Sequence, residues 1–347
     1  MGLTDYMQSL SEIRGVSGHE GLVRAKLREL LAGHVDRMES DTIGNLYAYA
    51  KGSGKTTGPK VMLAAHMDEV GFLVTGVDKD GMVHFANVGG VDAKVIPAKV
   101  VRIGPNAVPG VIGTKAIHRQ EPDERTKPFD PKKLAIDVGA ATKAEALKLV
   151  SPGDQVTWEI QYGPFGAGLV KGRALDDRIG CAVLVEVLKD VYAVPVVGVF
   201  TVQEEIGTRG AAVAANRLMP DIGICLEGTV CADIPGTEPE GQTTRIGQGP
   251  AISLMDAGTI HHPALVKHLV AVAEREGIPY QYREATRGGN DAARMSLAGA
   301  GAMACAVSIP CRYIHSPVAV ASPSDFANAV RLVRAFIASI ARGELKA

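Results

Sequence analysis

The chain has 347 residues, 46% of them hydrophobic, enough for a sizeable core and for two folding units or one with an insertion. Its 37 basic and 38 acidic residues leave a net charge of -1 with no polybasic run, which excludes a nucleic-acid footprint and a strongly anionic membrane partner. No apolar run reaches the ~18 residues of a membrane span, and the start, MGLTDYMQSLSEIRG, carries acids and no apolar signal core, so a cytoplasmic setting is expected.

The first periodic segment, LVRAKLRELLAG, predicts a helix with Leu22, Val23, Leu27, Leu30 and Leu31 on one side. DTIGNLYAYAKG alternates like a strand, and PKVMLAAHMDEVGFLV reads as a buried strand whose apolar run stops at His66. Residues ~75–165 change texture: short Val- and Ile-rich runs are split by Gly, Pro and Asp, which predicts a small antiparallel β unit. Within it, ATKAEALKLV reads as a short helix, and ERTKPFDPKKLAIDVGA as an exposed loop leading to a strand. From ~168 onward helical and strand patterns alternate. DDRIGCAVLVEVLKDV, GAAVAANRLM, HPALVKHLVAVAEREG, NDAARMSLAG and SPSDFANAVRLVRAFIASIARG read as helices; VPVVGVFTVQ, DIGICLE, AISLM, IPYQYREA and AMACAVSI read as strands. This rhythm predicts an α/β fold with a mixed, largely parallel sheet covered by helices. Residues 1–74 and 166–347 would form that unit, and residues 75–165 an inserted, barrel-like β unit. The five cysteines, Cys181, Cys225, Cys231, Cys305 and Cys311, show no CxxC spacing and read as buried free thiols.

Sites in open α/β sheets gather beyond the carboxyl ends of strands. Five such places carry polar groups that core packing does not need. In AAHMDEVG, His66 and Asp68 stand two apart and face one side of an extended chain. GRALDDRIG places Asp176 and Asp177 ahead of a helix, where acids also serve as simple N-terminal charges. VQEEIG sets Glu204 beside Glu205, ICLEGTV ends a strand on Glu227, and CRYIHSPVAV puts His315 in a loop. Taken singly, each fits a solvated strand end. Taken together, they make a nitrogen- and oxygen-rich donor set suited to zinc, cobalt or manganese rather than to a soft thiolate site.

AAHMDEVGFLV, GRALDDRIG, TVQEEIGTRGA, ICLEGT and YIHSPVA, in this order, resemble the M42 family of metallo-aminopeptidases, the glutamyl and tetrahedral aminopeptidase group of the zinc-exopeptidase clan. GVSGHEGLVR and DTIGNL fit as well, so the likeness runs along essentially the whole chain. The resemblance implies a zinc-exopeptidase-like fold, with the inserted unit as a dimerisation domain. It implies two divalent ions per subunit: His66 and Glu227 on one, His315 and Glu205 on the other, and Asp176 bridging both. Glu204 would be the general base and Asp68 would orient His66. The substrates would be short peptides with a free N-terminus, and the assembly dimer-based, up to a hollow dodecamer. Two positions depart from the family pattern: Glu227 where Asp is common, and Asn290 in GGND where Thr is commoner. Glu227 gives some weight to another amide hydrolase on this scaffold, carboxypeptidase- or deacylase-like. A catalytically inactive, metal-stabilised assembly protein is the reading outside enzymes.

Overall fold

In a computed structural model, which describes residues 3–284 and 286–345, four parallel strands form the centre of the molecule. Their order is Val196–Thr201, Val61–His66, Ile222–Val230, Met303–Arg312. These strands read as unbroken apolar runs because both faces are covered. Val61, Leu63 and Ala65 join one core cluster, while Met62 and Ala64 join a second on the opposite face. Helices Leu3–Ser11, Gly21–Leu31, Leu175–Val187, Pro263–Arg275 and Pro323–Ala341 supply the first cluster. Helices Arg209–Leu218 and Ala292–Met295 supply the second.

The flanks are antiparallel. Leu46–Ala50 and Val35–Ser40 extend one side; Ala319–Ala321, Leu169–Gly172 and Gly163–Phe165 extend the other. Ala251–Ser253 pairs antiparallel with Met303–Arg312 and parallel with Gln281–Arg283. The sheet is mixed, as the alternating pattern predicts, and its parallel part is the stretch whose carboxyl ends meet at the site.

The chain leaves this sheet after His66 and forms a closed antiparallel barrel of six strands: Gly71–Val77, Val83–Val88, Ile136–Asp137, Val108–Ile112, Val100–Ile103 and Gln155–Trp158. The barrel has its own core. Phe72 meets Phe85 and Trp158 edge-on, with centroids 4.9 and 5.3 Å apart, and branched residues from every strand fill the rest. Among the described residues no helix is long and apolar enough to cross a membrane. All five cysteines are buried and free.

Local expectations fail where the pattern is weak. Leu22 is 53% exposed, because the buried stripe of its helix is Val23, Leu27, Leu30 and Leu31, and a residue one step before Val23 lies off that stripe. NDAARMSLAG forms only the turn Ala292–Met295. The edge strand Val35–Ser40 reads VDRMES, too polar to be told from a loop.

Gly210 shows how tightly the site's supports are packed. A Cβ there would lie 2.5 Å from both Val202 N and Val202 O. Those atoms are already held: Val202 N donates to Asn45 Oδ1, and Gly210 N donates to Val202 O. Gly210→Ala is expected to destabilise the fold by ~1–3 kcal/mol through overpacking. It would be read as a lower denaturant midpoint at unchanged slope.

Candidate metal centre

Parallel strands deliver most of the site. Val61–His66 ends on His66 and continues to Asp68. Val196–Thr201 lies in register beside it, Thr201 opposite His66, and runs on to Glu204 and Glu205. Ile222–Val230 carries Glu227, and Met303–Arg312 leads to His315. Asp176 arrives from the other direction, at the start of the helix Leu175–Val187. A side chain on Gly228 would lie 3.0 Å from Asp176 Cα, so glycine there lets this carboxylate approach the sheet.

Asp176 stands between two imidazoles. Its Oδ1 is 3.3 Å from His66 Nε2 and its Oδ2 is 3.5 Å from His315 Nε2. Glu227 Oε1 lies 3.2 Å from His66 Nε2, and Glu205 Oε2 lies 3.3 Å from His315 Nε2. Two donor groups result, His66–Asp176–Glu227 and Asp176–Glu205–His315, each with ligand atoms within 4.8 Å of one another. They share Asp176. The adjacent Asp177 belongs to neither group. It is buried, and its carboxylate accepts from the backbone N–H of His66 at 3.1 Å and of Gly180 at 2.9 Å.

The electrostatics show what the donor set lacks. Burial pushes the Glu205 carboxyl up to about 7, and the neighbouring Asp176 charge adds to the shift. Burial likewise pushes Glu227 up to about 8 against the pull of His66. Glu204 is raised well above the carboxylate range, first by burial, with Glu227, Asp291 and Glu205 adding repulsion. Burial alone would lower His315, yet Asp176 and Glu205 carry it up to about 9. Carboxylates this crowded hold protons unless a cation replaces them. The oxygen and imidazole donors fit hard or borderline divalent ions, and Asp176 has an oxygen for each of two.

Other expected residues have more specific places. His66 Nδ1 is 3.0 Å from the backbone carbonyl of Asp68 and 3.6 Å from its carboxylate. The Asp68 carboxylate instead accepts from the N–H groups of Glu204 and Glu205, at 3.0 and 3.1 Å, and from Ser17 Oγ at 2.6 Å. Asp291 is buried and accepts from Thr201 Oγ1 at 2.6 Å.

A cavity of about 740 Å³ opens from the donor groups. Glu204 lines it, as do Thr229, Arg283, Glu284, Arg287 and Asn290. Arg283 carried no motif in the sequence. Its Nε donates to Thr229 Oγ1 at 2.9 Å, and its position follows only from the fold. Arg312, in the run that leads to His315, is bound to Asp233.

The M42 glutamyl aminopeptidase family matches residues 44–332. The lysyl aminopeptidase of Pyrococcus furiosus is 32% identical, with 96% of each chain covered. The TET aminopeptidase of the marine sediment archaeon Thaumarchaeota archaeon SCGC AB-539-E09 is 33% identical and superposes with a TM-score of 0.93 over 99% of this chain and 98% of that one. The TET1 peptidase of Pyrococcus horikoshii, which can assemble into a tetrahedron or a large octahedral shell, is 29% identical with a TM-score of 0.87, covering 97% and 99%. With a family match across most of its length, and two donor groups meeting on one shared aspartate, this chain belongs to the M42 glutamyl aminopeptidase family and is an aminopeptidase.

Proposed function

We propose that this chain removes the N-terminal residue of short peptides at the centre built on Asp176. The observation that carries the reading is the position of that carboxylate, with one oxygen toward His66 and the other toward His315. His66 and Glu227 would hold one ion, and His315 and Glu205 the other. Bound there, two divalent ions, zinc, cobalt or manganese, would supply Lewis-acid polarisation of the scissile carbonyl and acidification of a water.

The protein's own groups do the rest. Glu204 lines the cavity yet belongs to neither donor group, so its carboxylate is available to move a proton. It takes one from the attacking water and returns it to the departing amine. Asp68 fixes the turn from which Glu204 projects, through the two backbone N–H groups it accepts.

The division of the chain is part of the same proposal: 1–74 and 166–347 as the catalytic unit, and 75–165 as an insert through which subunits pair. The shell-forming Pyrococcus relative, also solved as a dodecamer, supports a dimer-based homo-oligomer, up to a dodecamer. Buried, unpaired cysteines support a reducing, cytoplasmic setting.

Glu204→Gln is expected to keep both ions, counted by elemental analysis, while kcat falls by ~10²–10⁴-fold. Full turnover in that variant would remove Glu204 from its role. Peptides blocked at the N-terminus should resist cleavage by the parent enzyme, and their rapid hydrolysis would favour a deacylase instead. Ion binding should also release protons. Without an ion, His315 is carried up to about 9, Glu227 to about 8 and Glu205 to about 7, so ligation near neutral pH displaces protons from this set. Calorimetric titration of the metal-free chain with Zn²⁺ in buffers of different ionisation enthalpy should report this release. Affinity should strengthen as pH rises from 7 to 9.

A further inference from the structure

The turn that carries Glu204 and Glu205 is gripped by more than Asp68. Three consecutive backbone N–H groups, those of Gln203, Glu204 and Glu205, donate to carboxylates. Gln203 N donates to Glu20 Oε1 at 3.1 Å, Glu204 N to Asp68 Oδ1 at 3.0 Å, and Glu205 N to Asp68 Oδ2 at 3.1 Å. Glu20 is 3% exposed and comes from the GVSGHE stretch, 183 residues away in the chain. Its Oε1 also accepts from Gly18 N at 2.7 Å, which fixes the side chain at its own end.

Gln203 has φ +55°, in the left-handed region. For a residue with a Cβ this conformation is disfavoured by about tenfold in population, and it persists only where surrounding contacts impose it. The contact on the Gln203 amide is Glu20. Immediately after this kink the two adjacent acids part company. Glu205 joins the donor group of Asp176 and His315, while Glu204 lines the cavity outside both groups.

The stretch around Glu20 is itself anchored. Gly15 N donates to Glu69 Oε1 at 2.9 Å, Glu69 N donates to Gly15 O at 3.0 Å, and Val16 N donates to Gln155 Oε1 of the barrel at 3.1 Å. Ser17 Oγ reaches Asp68. The acceptor that holds Gln203 is therefore placed by the same segment that places the acceptor for Glu204 and Glu205.

We propose that Glu20 is a positioning residue for the hydrolytic reaction. It holds Gln203 in the left-handed conformation, so that Glu204 and Glu205 leave the turn toward different parts of the centre. The proposal rests on the reading of Glu204 as base and Glu205 as ligand. What Glu20 supplies is a hydrogen-bond acceptor and not a charge, so a neutral acceptor of the same length should serve.

The test uses the full chain and four variants, with two readouts: peptide hydrolysis by the metal-loaded enzyme, and Co²⁺ titration of the metal-free protein followed by visible absorption. Glu20→Ala is expected to lower kcat by about tenfold with KM changed less than about twofold, and to weaken one of the two Co²⁺ sites by about tenfold. Glu20→Gln is expected to retain most of kcat and both Co²⁺ affinities. The double variant Glu20→Ala/Gln203→Gly should recover most of the loss, because glycine takes positive φ without an imposed contact. Gln203→Val leaves Glu20 in place and should lower kcat by about tenfold, since a β-branched residue resists this conformation. A kcat and Co²⁺ binding unchanged in Glu20→Ala, or a loss that neither glutamine nor Gln203→Gly restores, would overturn the proposal. An unchanged kcat in Gln203→Val would overturn it even if Glu20→Ala does not fold. The Co²⁺ titration reads the turn without peptide hydrolysis, so its result stands apart from whether Glu204 is the base.

Discussion

The structure depends on a concentration of negative charge that the polypeptide alone does not neutralise. Asp68, Asp176, Glu204, Glu205 and Glu227 converge on two imidazoles at the carboxyl ends of parallel strands. Burial and mutual repulsion raise the carboxyls of Glu204, Glu205 and Glu227. A fold tolerates such a cluster when something else rewards it, and the two donor groups are fitted to do so by binding cations. Architecture follows from that need. Parallel strands bring several chain segments to one edge, and a helix start delivers Asp176 from the side. The continuous apolar runs of the strands, covered on both faces, supply the rigidity that holds the acids together.

Not all of these carboxylates face the same demand. Asp68 is compensated by two backbone N–H groups and the Ser17 hydroxyl, whereas burial and the nearby Glu227 charge raise the Asp177 carboxyl well above its ordinary range in spite of two backbone N–H groups. Asp176 has imidazoles on both sides. Glu205 and Glu227 each face one imidazole and other acids. The two acids that accept from backbone amides shape the chain, and Asp176, Glu205 and Glu227 are grouped with the imidazoles as ion donors. Of the two glutamates side by side at a strand end, Glu205 is grouped with Asp176 and His315, and Glu204 lines the same cavity outside both donor groups.

Long, strongly patterned elements were legible in the sequence, and so were the acids and histidines at their ends. Val61–His66 shows itself by an apolar run that stops at a histidine, and the inserted barrel by a change to short branched runs between turns. Short edge strands were not legible, because Val35–Ser40 and Gly163–Phe165 gain their strand state from neighbours rather than from their own residues. In the site, spacing could not choose between Asp176 and Asp177, since both precede the same helix; the family likeness points to Asp176, whose carboxylate lies between the two histidines. Glu20 was invisible as a partner. GVSGHE entered only through the family likeness, and nothing in its pattern points to an amide 183 residues later.

The order of these residues along the chain carries a consequence of its own. His66 is made early, the whole barrel is made before Asp176, and His315 comes after every other member of the centre. The barrel and the group His66–Asp176–Glu227 are encoded entirely before His315, and the second donor group is complete only once the segment after Met303–Arg312 lies against the sheet. One imidazole from a late loop thus separates a chain with one donor group from a chain with two.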